Sequence, residues 1–134
     1  MIHLIIGGLF LIQASVPQVS INPQPAPENS IQTTTGAYFD TVKYIREVFG
    51  NEADNAIKIA QAESGLNPNA IHINKGGSVD RGIFQINSVH LDRVNGNAEA
   101  LFDPKTNIKV AYEIFSEQGW CPWTTARKLG LCND

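Results

Sequence analysis

Four prolines, Pro17, Pro23, Pro25 and Pro27, fall between Ser15 and Thr35 and divide the chain more sharply than anything else in it. Gln, Asn, Ser and Thr fill most of the remaining positions there, with Glu28 as the only charge. Such a stretch cannot bury enough apolar surface to offset the entropy of ordering it, so residues 15–35 are expected as a flexible linker. A PxxP-type ligand motif is the other use for such prolines, and the spacer reading is preferred. Whatever builds a core then lies in residues 36–134. That is roughly 100 residues, enough for one domain.

Ahead of the linker, Ile2 to Ile12 is apolar except for His3 and the pair Gly7-Gly8, and Ala14 follows as a small residue. This length suits the apolar region of a secretory signal and is too short to span a bilayer comfortably. Residues 1–14 are therefore expected as a signal peptide or an N-terminal anchor, and the protein as exported to the periplasm, envelope or medium. The 10 Lys and Arg residues against 13 Asp and Glu form no basic run, so nucleic acid is excluded as a partner. The lack of any apolar stretch near ~18 residues excludes a multi-pass membrane protein.

Cys121 and Cys132 are the only two cysteines. In an exported protein they allow one pairing, which would close a short C-terminal loop. In a reducing compartment both would be free thiols. No His or further Cys stands beside them at ligand spacing, so neither a metal nor any other cofactor is expected.

Helical signals dominate the domain. Tyr38, Val42, Ile45 and Phe49 approximate one stripe, with Asp40 as expected N-cap and Gly50 as stop. A second helix is expected from Asn51, with Asp54 in a loose capping box. Its expected apolar face is Ala53, Ala56, Ile57, Ala60 and Ser64, and Gly65 should end it. The third follows Asp103-Pro104, with Ile108, Ala111, Tyr112 and Phe115 inward and Gly119 closing it. Shorter helices are expected over Ser88–Val94 and Asn97–Leu101. Between the second and third helices the period changes: residues 70–74 and 78–80 flank Lys75-Gly76-Gly77 as a small β-hairpin. The expected class is mainly α (α+β).

Glu63 does not suit its position. It lies on the edge of the second helix's buried face, in the last turn before Gly65. There the negative end of the helix dipole opposes a carboxylate by about 0.3–1 kcal/mol. Partial burial acts in the same direction, and both should raise the pKa. A side chain turned out into water is the ordinary alternative. A general acid, however, needs a carboxyl held protonated near neutral pH, and such a site provides one. Downstream, Gly82-Ile83-Phe84-Gln85-Ile86-Asn87 would put Gln85 and Asn87 on one face if extended, suited to a polyhydroxylated or amide-bearing ligand. Their ordinary role is capping, with Asn87 or Ser88 opening the next helix. Asp80, on the far arm of the hairpin, is either a turn residue or the second carboxylate of a glycosidase pair.

Residues 63–70, then 82–88, then Leu101-Phe102-Asp103-Pro104 through Asn107-Ile108 to Ala111-Tyr112, resemble the lysozyme-like superfamily. The chain looks closest to lytic transglycosylases of the SLT type, including the small ones that open peptidoglycan for secretion systems and pili, and phage-like ones. The similarity covers roughly residues 38–123, with the motifs in the family's order. It implies a lysozyme-like fold in residues 36–134, a helical domain with the β-hairpin beside a catalytic cleft. It also implies Glu63 as catalytic acid/base, Ser64 as the hydroxyl beside it, Gln85 and Asn87 as amides lining the sugar cleft, and Tyr112 as an aromatic hydroxyl near the carboxyl. Residues 78–88 are similar to a segment of c-type lysozymes in which the Asp matching Asp80 is the second catalytic carboxylate. The family's Ala-Tyr-Asn-Ala-Gly segment is absent. The chain instead ends through Gly119-Trp120-Cys121-Pro122-Trp123, whose tryptophans are expected to pack the C-terminus onto the core rather than stack on sugars.

The activity so implied is cleavage of the β-1,4 bond between N-acetylmuramic acid and N-acetylglucosamine in peptidoglycan by transglycosylation. The alternative is hydrolysis of the same bond with Asp80 as second carboxylate. A reading from another class is a non-catalytic glycan-binding or structural module. The expected partners are glycan strands and an envelope or secretion-apparatus component, and the expected state is a monomer.

Overall fold

The computed structural model describes residues 29–132. The leader expected in residues 1–14, and the linker as far as residue 28, lie outside the described residues. Helix α1 (Asn29–Phe49) starts well before Asp40, which is therefore inside the helix and not its N-cap. Residues 29–35, expected as linker, belong to it. The physical reason is local: the last proline of the stretch is Pro27, so nothing beyond it blocks propagation of the helix backward from its packed half. The second half reaches the core through Ile45 and Phe49, with Val42 and Val48 half-buried. Tyr38, expected in the same stripe, is 45% exposed.

Gly50, at φ 54°, stops α1 and opens a 3-10 turn over Gly50–Glu52. Helix α2 (Ala53–Ser64) follows, two residues later than Asn51. The expected capping box does not form. Asp54 instead pairs with Arg46 at 2.9 Å on the surface, and Glu52 accepts from Asn55 Nδ2 and Trp120 Nε1. The buried face of α2 is Ala53, Ala56, Ile59 and Ala60, rotated so that Ile59 takes the place expected for Ile57. Three alanines let α2 approach its neighbours closely, and Gly65, at φ 64°, ends it in the left-handed conformation as expected.

The hairpin is present as β1 (Ile71–Ile73) and β2 (Val79–Arg81), with His72 opposite Asp80 and a turn closed by Asn74 N–H to the Ser78 carbonyl at 2.8 Å. A third antiparallel strand, β3 (Ile86–Asn87), pairs with β2 and sets Asn87 directly opposite Asp80. Two 3-10 segments (Ser88–Val94 and Ala98–Phe102) lead to α3 (Pro104–Gln118). Asp103 caps α3 as its position predicts, accepting from Thr106 N–H and the Thr106 hydroxyl, both at 2.8 Å. Its inward face is Asn107, Ile108, Val110, Ala111 and Ile114. Tyr112 and Phe115 sit at the margin, with Tyr112 40% exposed.

Among the described residues, Asn107 is the one buried polar side chain, with no exposed surface. Its Oδ1 accepts from Phe84 N–H at 2.9 Å, and its Nδ2 donates to the carbonyls of Arg81 (2.9 Å) and Leu101 (2.8 Å). It thereby ties α3 to the turn between β2 and β3. Gly82, at φ 74° in that turn, leaves the room: a Cβ there would collide with Asn107 Nδ2 and the Leu101 carbonyl.

The C-terminal segment folds back as α4 (Thr124–Lys128), enclosed by a disulfide between Cys121 and Cys132. Trp120 and Trp123 are buried in a ring cluster with Phe49, Phe84 and Phe115, the packing role expected of them. Closing a loop of 11 residues constrains the unfolded chain by roughly 3 kcal/mol. The double substitution Cys121→Ala/Cys132→Ala is therefore expected to lower unfolding free energy by about 3 kcal/mol in denaturant titrations. A change below about 1 kcal/mol would mean that the segment is held by packing alone. Among the described residues, no helix is long and apolar enough to cross a membrane.

Candidate active site

The end of α2, the sheet and the disulfide-closed segment surround a cavity of about 410 Å³. Glu63 lines it from α2; Asn74, Ser78, Asp80, Gln85, Ile86 and Asn87 from the sheet and its turns; His90 and Ile114 from beyond; and Pro122, Trp123 and Thr124 from the disulfide loop.

Glu63 is half-buried, as its place on the edge of the α2 face predicts, and its Oε1 accepts from the Thr125 hydroxyl at 2.6 Å. Burial pushes its pKa above the ordinary value of 4.5, and Asp80 adds to the rise, against opposing effects from Thr125 and Lys128. The direction agrees with the expectation. Its leading cause is desolvation, which disfavours the charged form.

A raised folded pKa means that the native state holds the Glu63 proton more tightly than the unfolded chain does. Stability therefore falls as pH rises from about 4.5 through the folded pKa. Glu63→Gln removes that loss and keeps an oxygen for Thr125 to donate to. Its melting temperature is expected to exceed the wild type's at pH 7, with the gap closing by pH 4. A gap equal at both pH values would show that ionisation of Glu63 carries no cost.

Asp80 is held from two sides. Its Oδ1 accepts from Asn87 Nδ2 at 2.6 Å across the β2–β3 pair, and its Oδ2 accepts from Asn74 Nδ2 at 2.9 Å from the hairpin turn. Both amides also reach Ser78 Oγ, at 3.1 and 3.2 Å. Asn87 is thus committed within the protein, because its Oδ1 accepts from Val89 N–H and opens the next 3-10 segment, the capping alternative. Gln85, at φ 49°, spends its amide nitrogen on the carbonyls of Gly82 (2.9 Å) and Ala70 (3.2 Å).

Glu63, Asp80, Gln85 and Asn87 are therefore brought to one cavity. Ser64 and Tyr112 are not among its lining residues. The Ser64 hydroxyl donates to the Ile83 carbonyl at 2.7 Å, which ties the end of α2 to the turn after β2. The Tyr112 ring stands edge-on to Phe49, centroids 5.3 Å apart, on another face of α3 from Ile114.

Sequence reasoning missed Asn74, His90, Thr124 and Thr125 as site residues. Asn74 carried a faint signal, since it ends the first hairpin run at the turn. His90 is held below its ordinary pKa first by burial and then by Arg93, so it faces the cavity as a neutral imidazole near pH 7. Among the described residues, no group of three His, Cys, Asp or Glu side chains is placed to hold a metal ion.

A family model described as a lysozyme-like domain matches residues 45–125, which takes in every residue that lines the cavity. Invasion protein IagB of Salmonella typhimurium is 34% identical over 85 residues, 60% of this chain and 53% of that protein. Protein IpgF of Shigella flexneri is 35% identical over 72 residues, 46% of this chain and 47% of that protein. The chain spans about half the length of these curated relatives.

Proposed function

The chain belongs to the lysozyme-like domain family, and on that premise we propose that it cleaves the β-1,4 bond between N-acetylmuramic acid and N-acetylglucosamine as a lytic transglycosylase. One observation carries the reading: a half-buried glutamate with a raised pKa stands at the wall of a polar cavity wide enough for a sugar ring. Protonated Glu63 donates to the glycosidic oxygen as the C1–O bond breaks and positive charge develops at the muramoyl C1. The N-acetylglucosamine side leaves as an alcohol. The Glu63 carboxylate then takes the proton of the muramoyl 6-hydroxyl, whose oxygen closes on C1 to give a 1,6-anhydro ring. Glu63 ends protonated, ready for the next cycle, and no water is consumed.

Hydrolysis with Asp80 as second carboxylate is the competing reading, favoured by the presence of Asp80 in the same cavity. Against a nucleophilic role, each Asp80 oxygen already accepts from an amide, an arrangement that suits a fixed neighbouring charge better than an attacking group. Export of the protein, action on glycan strands as a monomer, and work beside an envelope or secretion apparatus complete the proposal. The name invasion protein, borne by one relative, fits such a wall-opening role. The test is incubation of the full chain with purified peptidoglycan sacculi. Soluble muropeptides are expected in the supernatant; intact sacculi after prolonged incubation would leave the glycan-binding module as the better account.

A further inference from the structure

The catalytic reading leaves a mechanical question at Glu63. It is the penultimate residue of α2, and its side chain has three rotatable bonds. A proton donor must be held close to one orientation to be effective. The hydrogen bond that restrains the carboxyl comes from 62 residues further along the chain, from Thr125 on α4.

We propose that Thr125 is a positioning residue for Glu63, fixing the carboxyl by its hydroxyl so that Oε2 is the oxygen that gives and takes the proton. Thr125 is suited to this task. Its β-branched side chain has few rotamers, and its hydroxyl reaches out of its own helix to a distant one. The helix that carries it is anchored on both sides: Trp123 is buried and donates to the Phe84 carbonyl at 2.9 Å, and Ala126 is fully buried. The Cys121–Cys132 bridge closes the segment around it. With a lone pair of Oε1 occupied at 2.6 Å, the carboxyl proton resides on Oε2.

The same bond favours the carboxylate, the form that acts as base in the second half of the reaction. It opposes burial and Asp80 of β2, which favour the protonated form; Lys128 of α4 is the cation acting on Glu63 from the same side as Thr125. Removing the hydroxyl leaves those groups in place. The Glu63 pKa then rises further, and activity lost on deprotonation of the acid form is lost at higher pH.

This proposal rests on Glu63 being the acid/base, so its test has a readout that does not need turnover. Full-length wild type, Thr125→Val and Thr125→Ser are compared by kcat and KM on peptidoglycan across pH, and by NMR titration of the 13C-labelled Glu63 carboxyl. Thr125→Val is expected to lower kcat about 10- to 100-fold, the worth of one hydrogen bond to a charged group. KM should stay within about twofold, while the alkaline limb of the pH profile and the NMR midpoint both move upward. Thr125→Ser, which keeps the donor, should restore both. A Thr125→Val protein that folds with wild-type kcat and an unmoved midpoint overturns the proposal while leaving Glu63's role intact. If the wild type itself releases nothing, the catalytic reading fails and the NMR midpoint alone decides: an upward move upholds the Thr125 contact, and an unmoved one ends it.

Discussion

Glu63→Gln is expected to reduce the release of muropeptides about a thousandfold, within the range that a positioned general acid contributes. The loss should fall on kcat, because Gln is of the same size and its carbonyl still accepts from Thr125, so substrate binding and fold are preserved. Binding to sacculi, followed by co-sedimentation, should stay near the wild-type level. This separates the variant from an unfolded one and the catalytic reading from a binding module. A variant that releases at more than about a tenth of the wild-type rate would remove Glu63 from the chemistry. The reasoning is physical before it is familial. A carboxylate at the negative end of a helix, half-buried and near a second carboxylate, detracts from stability, and protonation removes that cost.

Asn107→Ala is expected to be the most damaging substitution away from the cavity. It removes a fully buried side chain and strands three backbone groups, the buried Phe84 N–H and Leu101 carbonyl and the part-buried Arg81 carbonyl. Each of the two buried groups left stranded costs about 1–3 kcal/mol, so a loss of about 2–6 kcal/mol is expected in denaturant unfolding. Gly82→Ala should do comparable harm from the other side, since it forces a Cβ into the same contact at φ 74°. The damage reaches the site, because the turn that Asn107 holds carries Gln85 and the Phe84 carbonyl to which Trp123 donates. An Asn107→Ala protein within about 1 kcal/mol of the wild type would mean that water substitutes for the amide.

The parts of this fold visible in the sequence were those governed by short-range rules. Gly65 ends α2, Asp103 caps α3, the Lys75-Gly76-Gly77 run turns the hairpin, and Glu63 comes to the edge of a buried face. Each depends on residues within a turn or two. What escaped was set by tertiary packing. The start of α1 at Asn29 follows from nothing breaking the helix after Pro27, which is weaker than a cap signal. Strand β3 is two residues long and exists because β2 is beside it. Tyr112, expected inward, lies at the margin, and Ile114 is buried instead, because a helix stripe is broad and which edge faces inward depends on what packs there. The contact between Thr125 and Glu63 has no local signature at all. The resemblance to SLT-type enzymes implied Gln85 and Asn87 as amides lining the sugar cleft and Ser64 as the hydroxyl beside Glu63, and the structure adds what the Asn87 and Ser64 side chains bond to. Both are committed to holding neighbouring protein groups.

The most direct test of the account is the mass of what the enzyme releases. Purified sacculi are digested with the full chain, and the muropeptides are weighed by mass spectrometry without prior reduction. Transglycosylation through Glu63 predicts muramoyl ends lighter by one water than hydrolysis would leave, and inert to borohydride because the anhydro ring has no reducing end. Asp80→Asn should yield the same products. Ordinary reducing ends would contradict the account, assign the water-delivering route to this cavity, and make Asp80 the partner of Glu63 in the bond cleavage.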